Sequence, residues 1–150
     1  MYPAMLMLQA ISQDIAICFC ALFAGGSVYI SLVEDPATAK GGVKMAGAYL
    51  VTAHPRPAVI QTIFAAAGAL AGLLAGFAGG ALWWVGGGTI LGLATILQIV
   101  RVIPLVRAVA VAGPEGDPGW LNRQLQSLAR LHAALSLCGL AALFVFIMKG

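Results

Sequence analysis

Residues 58–78 read AVIQTIFAAAGALAGLLAGFA and residues 82–103 read LWWVGGGTILGLATILQIVRVI, with only Gly79-Gly80-Ala81 between them. Each run is as long as the roughly 20 apolar residues that a helix needs to cross a bilayer. Neither alternates apolar and polar side chains, as strands of a membrane barrel must. Helices remain as the way to satisfy every backbone group in hydrocarbon. Two helices joined by so short a turn must lie antiparallel.

Stretches of the same kind occupy about 9–33 and 128–148. The chain, residues 1–150, therefore reads as a single all-α domain, an integral membrane four-helix bundle of antiparallel up-down topology. Composition agrees: 61% of the residues are hydrophobic and 9% are charged. A soluble domain carries roughly 25% charged residues, and this chain lacks the polar groups to cover a water-facing surface. A cleaved signal peptide is excluded for the first run by its flanks, since residues 1–9 hold no Lys or Arg and Asp14 lies inside the run.

Seven of the eight basic residues fall in two connections. Lys40, Lys44 and Arg56 follow the first helix; Arg101, Arg107, Arg123 and Arg130 lie at or between the ends of the third and fourth. The positive-inside rule puts both connections in the cytoplasm and both termini, with the 79–82 turn, on the other side. Charges placed beside membrane spans, with no accompanying fold, do not read as a nucleic-acid surface. The bilayer is the expected surrounding.

Within the spans, Gly68, Gly72 and Gly76, and then Gly88 and Gly92, recur at four-residue intervals that let a neighbouring backbone come close. They predict a seam between the second and third helices; the alternative is a seam to a second copy or to partner membrane subunits. Trp83 and Trp84 are expected to anchor at the headgroups. Pro36, after Glu34 and Asp35, is expected to stop the first helix, and Pro104 to bend the third. Val43 to Ala53 predicts a short surface helix, Leu105 to Ala112 a segment along the interface, and residues 113–119 a turn-rich loop. Cys18, Cys20 and Cys138 form no CxxC, and the first two point about 200° apart on a helix, so they read as small hydrophobes.

Ionisable groups in a membrane default to functional candidates. Asp14, about one and a half turns into the first helix, reads as a carboxylate that reaches outer water or a polar neighbour, with a buried acid or ligand as the alternative. The cytoplasmic end is richer: Glu34 and Asp35 end helix one, His54 and Arg56 precede helix two, Gln98 and Arg101 share a face of helix three, and Arg130 and His132 open helix four. Arg130 and His132 point about 200° apart, so at most one faces the bundle. Two imidazoles and a carboxylate at one level could hold a metal of the two-His, one-carboxylate kind, with Glu34, His54 and His132 as ligands. They could equally act as acid, base and cation around an organic substrate. Solvated charges at helix ends are the plainer alternative.

Residues 25–37, Gly-Gly-Ser-Val-Tyr-Ile-Ser-Leu-Val-Glu-Asp-Pro-Ala, together with Ile103-Pro104 and Arg130-Leu131-His132, carry a resemblance. Over nearly its whole length the chain resembles the anthrone-oxygenase-like family of small four-helix membrane proteins, a family long described as a domain of unknown function. It departs from the family pattern at Asp35, where His is usual after the Glu, at Val106 for Asn, at Leu135 for Arg, and at Leu128 for Trp. The resemblance implies the four-helix fold and oxidation of a flat, hydrophobic aromatic or quinone-like molecule with molecular oxygen. Glu34 would then be base or ligand, His132 ligand or acid, and Arg101 and Arg130 would stabilise an oxyanion. Tyr29, Gln98 and His54 are the candidate substrate contacts. These residues specify no cofactor. The alternative function is a non-catalytic membrane subunit, or a lipid- or quinone-binding module, joining a larger assembly through its glycine faces.

Overall fold

The computed structural model describes residues 3–52 and 55–149. Among them, four helical stretches are long and apolar enough to cross a membrane: Pro3–Gly41, Arg56–Phe77, Leu82–Ala112 and Pro118–Met148. They consist of α1 (Pro3–Tyr29) with α2 (Asp35–Gly41), α4 (Pro55–Phe77), α5 (Leu82–Leu97) with α6 (Ile103–Ala112), and α7 (Pro118–Lys149). A short helix, α3 (Val43–Thr52), follows the first span. The predicted Ala53 end of that helix lies outside the described residues.

Three spans are longer than the apolar runs predict; the first gains residues at both ends, and the extra turns at 34–41, 104–112 and 118–127 flank the two longer connections. The first difference is at Pro36, which does not stop the first helix. A π-helical turn, Ile30–Glu34, carries the chain into α2, and the Asp35 amide donates to the Ile30 carbonyl. At Pro104 the turn Gln98–Val102 carries the third span onward in the same way, and the Ile103 amide donates to the Gln98 carbonyl. The cause is shared. Proline has no N–H and its ring crowds the carbonyl four residues back, and a wider π turn just ahead of it takes up the misfit. Glycine ends both helices instead, with positive φ at Gly42 (84°) and Gly113 (62°), a conformation that side chains with a Cβ resist. The fourth span opens ten residues earlier than its apolar run, because Asp117 Oδ2 accepts from the Trp120 amide at 2.6 Å and Pro118 sits in the first turn.

The interior is filled by small residues and a few aromatics. Ala16, Cys20, Ala65, Ala69, Ala75 and Ala142 are buried with Phe23, Leu91 and Phe146. Cys20 Sγ donates to the Gly139 carbonyl at 3.6 Å, whereas Cys18 is exposed. A Cβ on Gly72 would stand 3.1 Å from Gly88 Cα, and one on Gly76 3.2 Å from the Val85 nitrogen. Gly92 and Gly86 meet nothing within 4 Å, so the glycines at one spacing have two different surroundings. The outward surface is apolar, with Leu70, Phe77, Leu82, Leu93 and Phe144 more than half exposed. That pattern inverts a soluble protein and fits a bilayer as solvent.

The two tryptophans part company. Trp83 is 49% exposed, but Trp84 is 2% exposed and stacks on Phe146 with centroids 5.1 Å apart. Neighbours on a helix lie about 100° apart, so one of the pair turns inward. Gly87 leaves the room, since a Cβ there would overlap the Phe146 ring. Trp84 is therefore a core residue and not a headgroup anchor, and the stacking is worth about 1 kcal/mol beyond burial.

The segment 105–112 does not run separately along the interface. It continues the third span as α6, buries Val106 and Val109, and packs against α3. On α3, Ala46, Gly47 and Leu50 are buried while Lys44 and Met45 face outward. A Cβ on Gly47 would stand 3.4 Å from Pro114 Cα. The helix thereby packs against α6, α2 and α7.

Candidate functional site

Beneath α3 lies a cavity of about 180 Å³. The end of the first span gives it Glu34 and Asp35, α3 gives Tyr49 and Leu50, and α7 gives Gln126 and Leu128. Most of the wall is apolar. The first π turn ends at Glu34, and Thr38 Oγ1 lies 3.0 and 2.9 Å from the carbonyl oxygens of Glu34 and Asp35, tying that turn to α2. The two adjacent carboxylates thus reach one cavity. Glu34 Oε2 is buried and no donor lies within hydrogen-bond geometry of it, while the carboxylate as a whole interacts with the Tyr49 hydroxyl.

Asp35 faces the fourth span. His132 Nδ1 stands 3.0 Å from its Oδ2 and 3.1 Å from its Oδ1. Their side chains are 5% and 18% exposed respectively. His132 also lines a second, deeper cavity of about 10 Å³ with Ser27, Gln61 and Gln98. Thr62 Oγ1 lies 3.0 Å from Gln98 Oε1. Ser136 donates to the His132 carbonyl at 2.9 Å, so Ser31 is the donor in its 2.9 Å contact with Ser136. Every span contributes to this polar layer. Hydrogen bonds between membrane helices stabilise by only about 0.6 kcal/mol each on average, too little for the layer to be there for stability alone.

The sequence candidates separate. Glu34 lines the larger cavity, while Gln98 and His132 lie in the deeper layer. Arg101 and Arg130 are exposed and line neither cavity. Arg130 and His132 do divide as their angular separation predicts, one outward and one inward. Tyr29 is 54% exposed and lies on the outer surface. His54 lies outside the described residues. Among the described residues no three His, Cys, Asp or Glu side chains converge on one point, and His132 is joined to Asp35. Asp14 is exposed.

Several site residues were passed over in the sequence. Gln61 is an uncharged amide in an apolar run, and the rule that flags intramembrane charge applies to it as well. Tyr49 sits three residues after Ala46 on the buried face of α3. Asp35 reads as a departure from the family pattern, yet it is the partner of His132.

Tyr49 responds to this surrounding. Burial pushes its phenol above the ordinary 10.0, and the charge of Glu34 and a hydrogen bond with it push the same way. A raised folded-state value stabilises the protonated, docked form. That contribution is full below the ordinary value and is lost as pH rises through the raised one. Phenolate absorbance should therefore show Tyr49 titrating later than an exposed tyrosine, and Glu34→Gln should bring it back towards 10.0. Titration unchanged by Glu34→Gln would separate the two residues.

No protein-family model matches the chain, and neither the curated proteins nor the solved structures searched contain a match. Among the described residues the fold and the site together define a class: an all-helical protein with four helices long and apolar enough to cross a membrane and a polar layer between them.

Proposed function

We propose that this is an integral membrane protein that binds a small, flat, apolar molecule carrying a hydroxyl group, phenolic or quinol-like, in the cavity under α3. The observation that carries this reading is Glu34 Oε2, a buried acceptor oxygen left over beside the carboxylate's interaction with Tyr49, on an otherwise largely apolar cavity. A guest hydroxyl that donates to it removes an unsatisfied group costing about 1–3 kcal/mol. The cavity, about 180 Å³, is of the order of the ~150 Å³ site that admits a benzene ring. Glu34 acts as the base, and a hydroxyl it deprotonates becomes richer in electrons and easier to oxidise. The resemblance to anthrone-oxygenase-like proteins adds oxidation by molecular oxygen as the reaction class.

The bundle is antiparallel and up-down in this reading, which the pairing of Gly72 with Gly88 and Gly76 with Val85 supports. Its cavity end faces the cytoplasm, where the positive-inside rule puts Lys40, Lys44, Arg107 and Arg123. The termini are on the other side.

Titrating benzene-1,4-diol, a single-ring hydroquinone, into the protein in nanodiscs tests the reading. Glu34→Gln should weaken binding about tenfold or more, because a hydrogen bond to a charged group is worth about 1.5–3 kcal/mol. Arg130→Gln should leave it within about twofold, as expected for an exposed side chain outside the cavity. Parental affinity in Glu34→Gln would overturn the proposal.

A second reading, a non-catalytic subunit that joins an assembly, is favoured by Gly86 and Gly92, which face open space on α5. Under that reading Gly92→Leu changes the oligomeric state; under the first it does not.

A further inference from the structure

The deeper cavity plays no part in ligand binding at Glu34, and it has its own construction. Ser27, Gln61, Gln98 and His132 come from four different spans, and each is more than nine-tenths buried. Gln61 Oε1 has no hydrogen-bond partner. The amide is held in place by Gly26, where any Cβ would overlap the Gln61 amide nitrogen. A buried carbonyl left unpaired costs about 1–3 kcal/mol, and a leucine here would avoid that cost.

The size of the cavity says what satisfies it. About 10 Å³ is close to the roughly 10–15 Å³ that one water molecule needs. Cavities that stay dry are apolar, and a buried water needs two to four polar partners. This cavity supplies polar groups from four sides. No carboxylate lines it, so nothing in its walls calls for a cation.

We infer that the deeper cavity is a hydration site for one ordered water, which donates to Gln61 Oε1 and is held by the other polar walls. The water completes a layer that ties all four spans at one level. Through His132 and Asp35 it also joins the interior of the bundle to the ligand cavity. Gly26 is then a positioning residue, acting through the Gln61 amide.

Magnetisation transfer from water to side-chain amides, recorded in the rotating frame on the ligand-free protein in nanodiscs, tests the site. Dipolar transfer and chemical exchange differ in sign in that experiment. Dipolar cross-peaks are expected at the Gln61 and Gln98 amides of the parent protein. The Gln98 peak should disappear in Gln61→Leu and in Gly26→Ala, with the spectrum otherwise that of a folded protein. Absence of both peaks in the parent would overturn the inference, whatever the variants do. So would a Gln98 peak that persists in Gln61→Leu. No ligand is present, so the outcome is separate from the role of Glu34.

Discussion

Gly88→Leu is expected to cost the protein its fold, whereas Gly92→Leu, one helical turn further on, is expected to cost almost nothing. A Cβ at position 88 would stand 2.9 Å from the Leu73 nitrogen and 3.0 Å from the Ala69 carbonyl oxygen. Both are backbone atoms of a packed helix, so no change of rotamer relieves the overlap and the helices must move apart. Overpacking a tight core costs about 1–3 kcal/mol. A branched chain whose first atom already meets backbone belongs at the top of that range or above it. Separation would also disturb Gly72, which approaches Gly88 itself, and the Phe146 ring beside Gly72 and Gly87. At position 92 a Cβ meets nothing within 4 Å. Unfolding in mixed detergent micelles should show no cooperative transition for Gly88→Leu, and a change within about 0.5 kcal/mol for Gly92→Leu. Equal losses at the two positions would sink the assignment of the α4–α5 seam to Gly88.

The second large effect is expected at His132. Replacing it with alanine removes the partner of a carboxylate that is only 18% exposed and leaves a hole at the centre of the polar layer. Breaking a fully buried pair costs about 3–5 kcal/mol. Asp35 also borders the larger cavity and can take water there, so about 2 kcal/mol is the expected loss. Asp35→Asn should cost less, because its amide oxygen still accepts from Nδ1–H. Asp35→Ala combined with His132→Ala should cost clearly less than the sum of the two single changes. Strict additivity in that double-mutant cycle would mean that the 3.0 Å contact contributes no coupling.

Val106, Leu128 and Leu135 are all in the buried apolar core. The polar groups of the interior are concentrated instead at Glu34, Asp35, Tyr49 and the layer beneath. Asp35 substitutes one hydrogen-bonding group for another. Its partner lies 97 residues away, a pairing that no local spacing could reveal.

The four spans were legible in the sequence because hydropathy is a sum over neighbouring residues, and that sum needs no knowledge of which way a helix faces. The angular separations of Cys18 from Cys20 and of Arg130 from His132 were legible for a similar reason, since helix geometry sets them. Which member of each pair turns inward was not. In water an apolar stripe tells a helix which face to bury, but in a membrane both faces are apolar and the stripe disappears. Packing shape decided those choices: Trp84 went inward where Gly87 made room, and Gly88 met a helix while Gly92 did not. Pro36 was read locally as a stop, yet the helix runs on, because a π turn ahead of it absorbs the misfit. The four membrane helices belong to the sequence alone. The tertiary structure decided the cavity under α3, its unpartnered Glu34 oxygen and the polar layer below, since each depends on side chains brought together from separate spans.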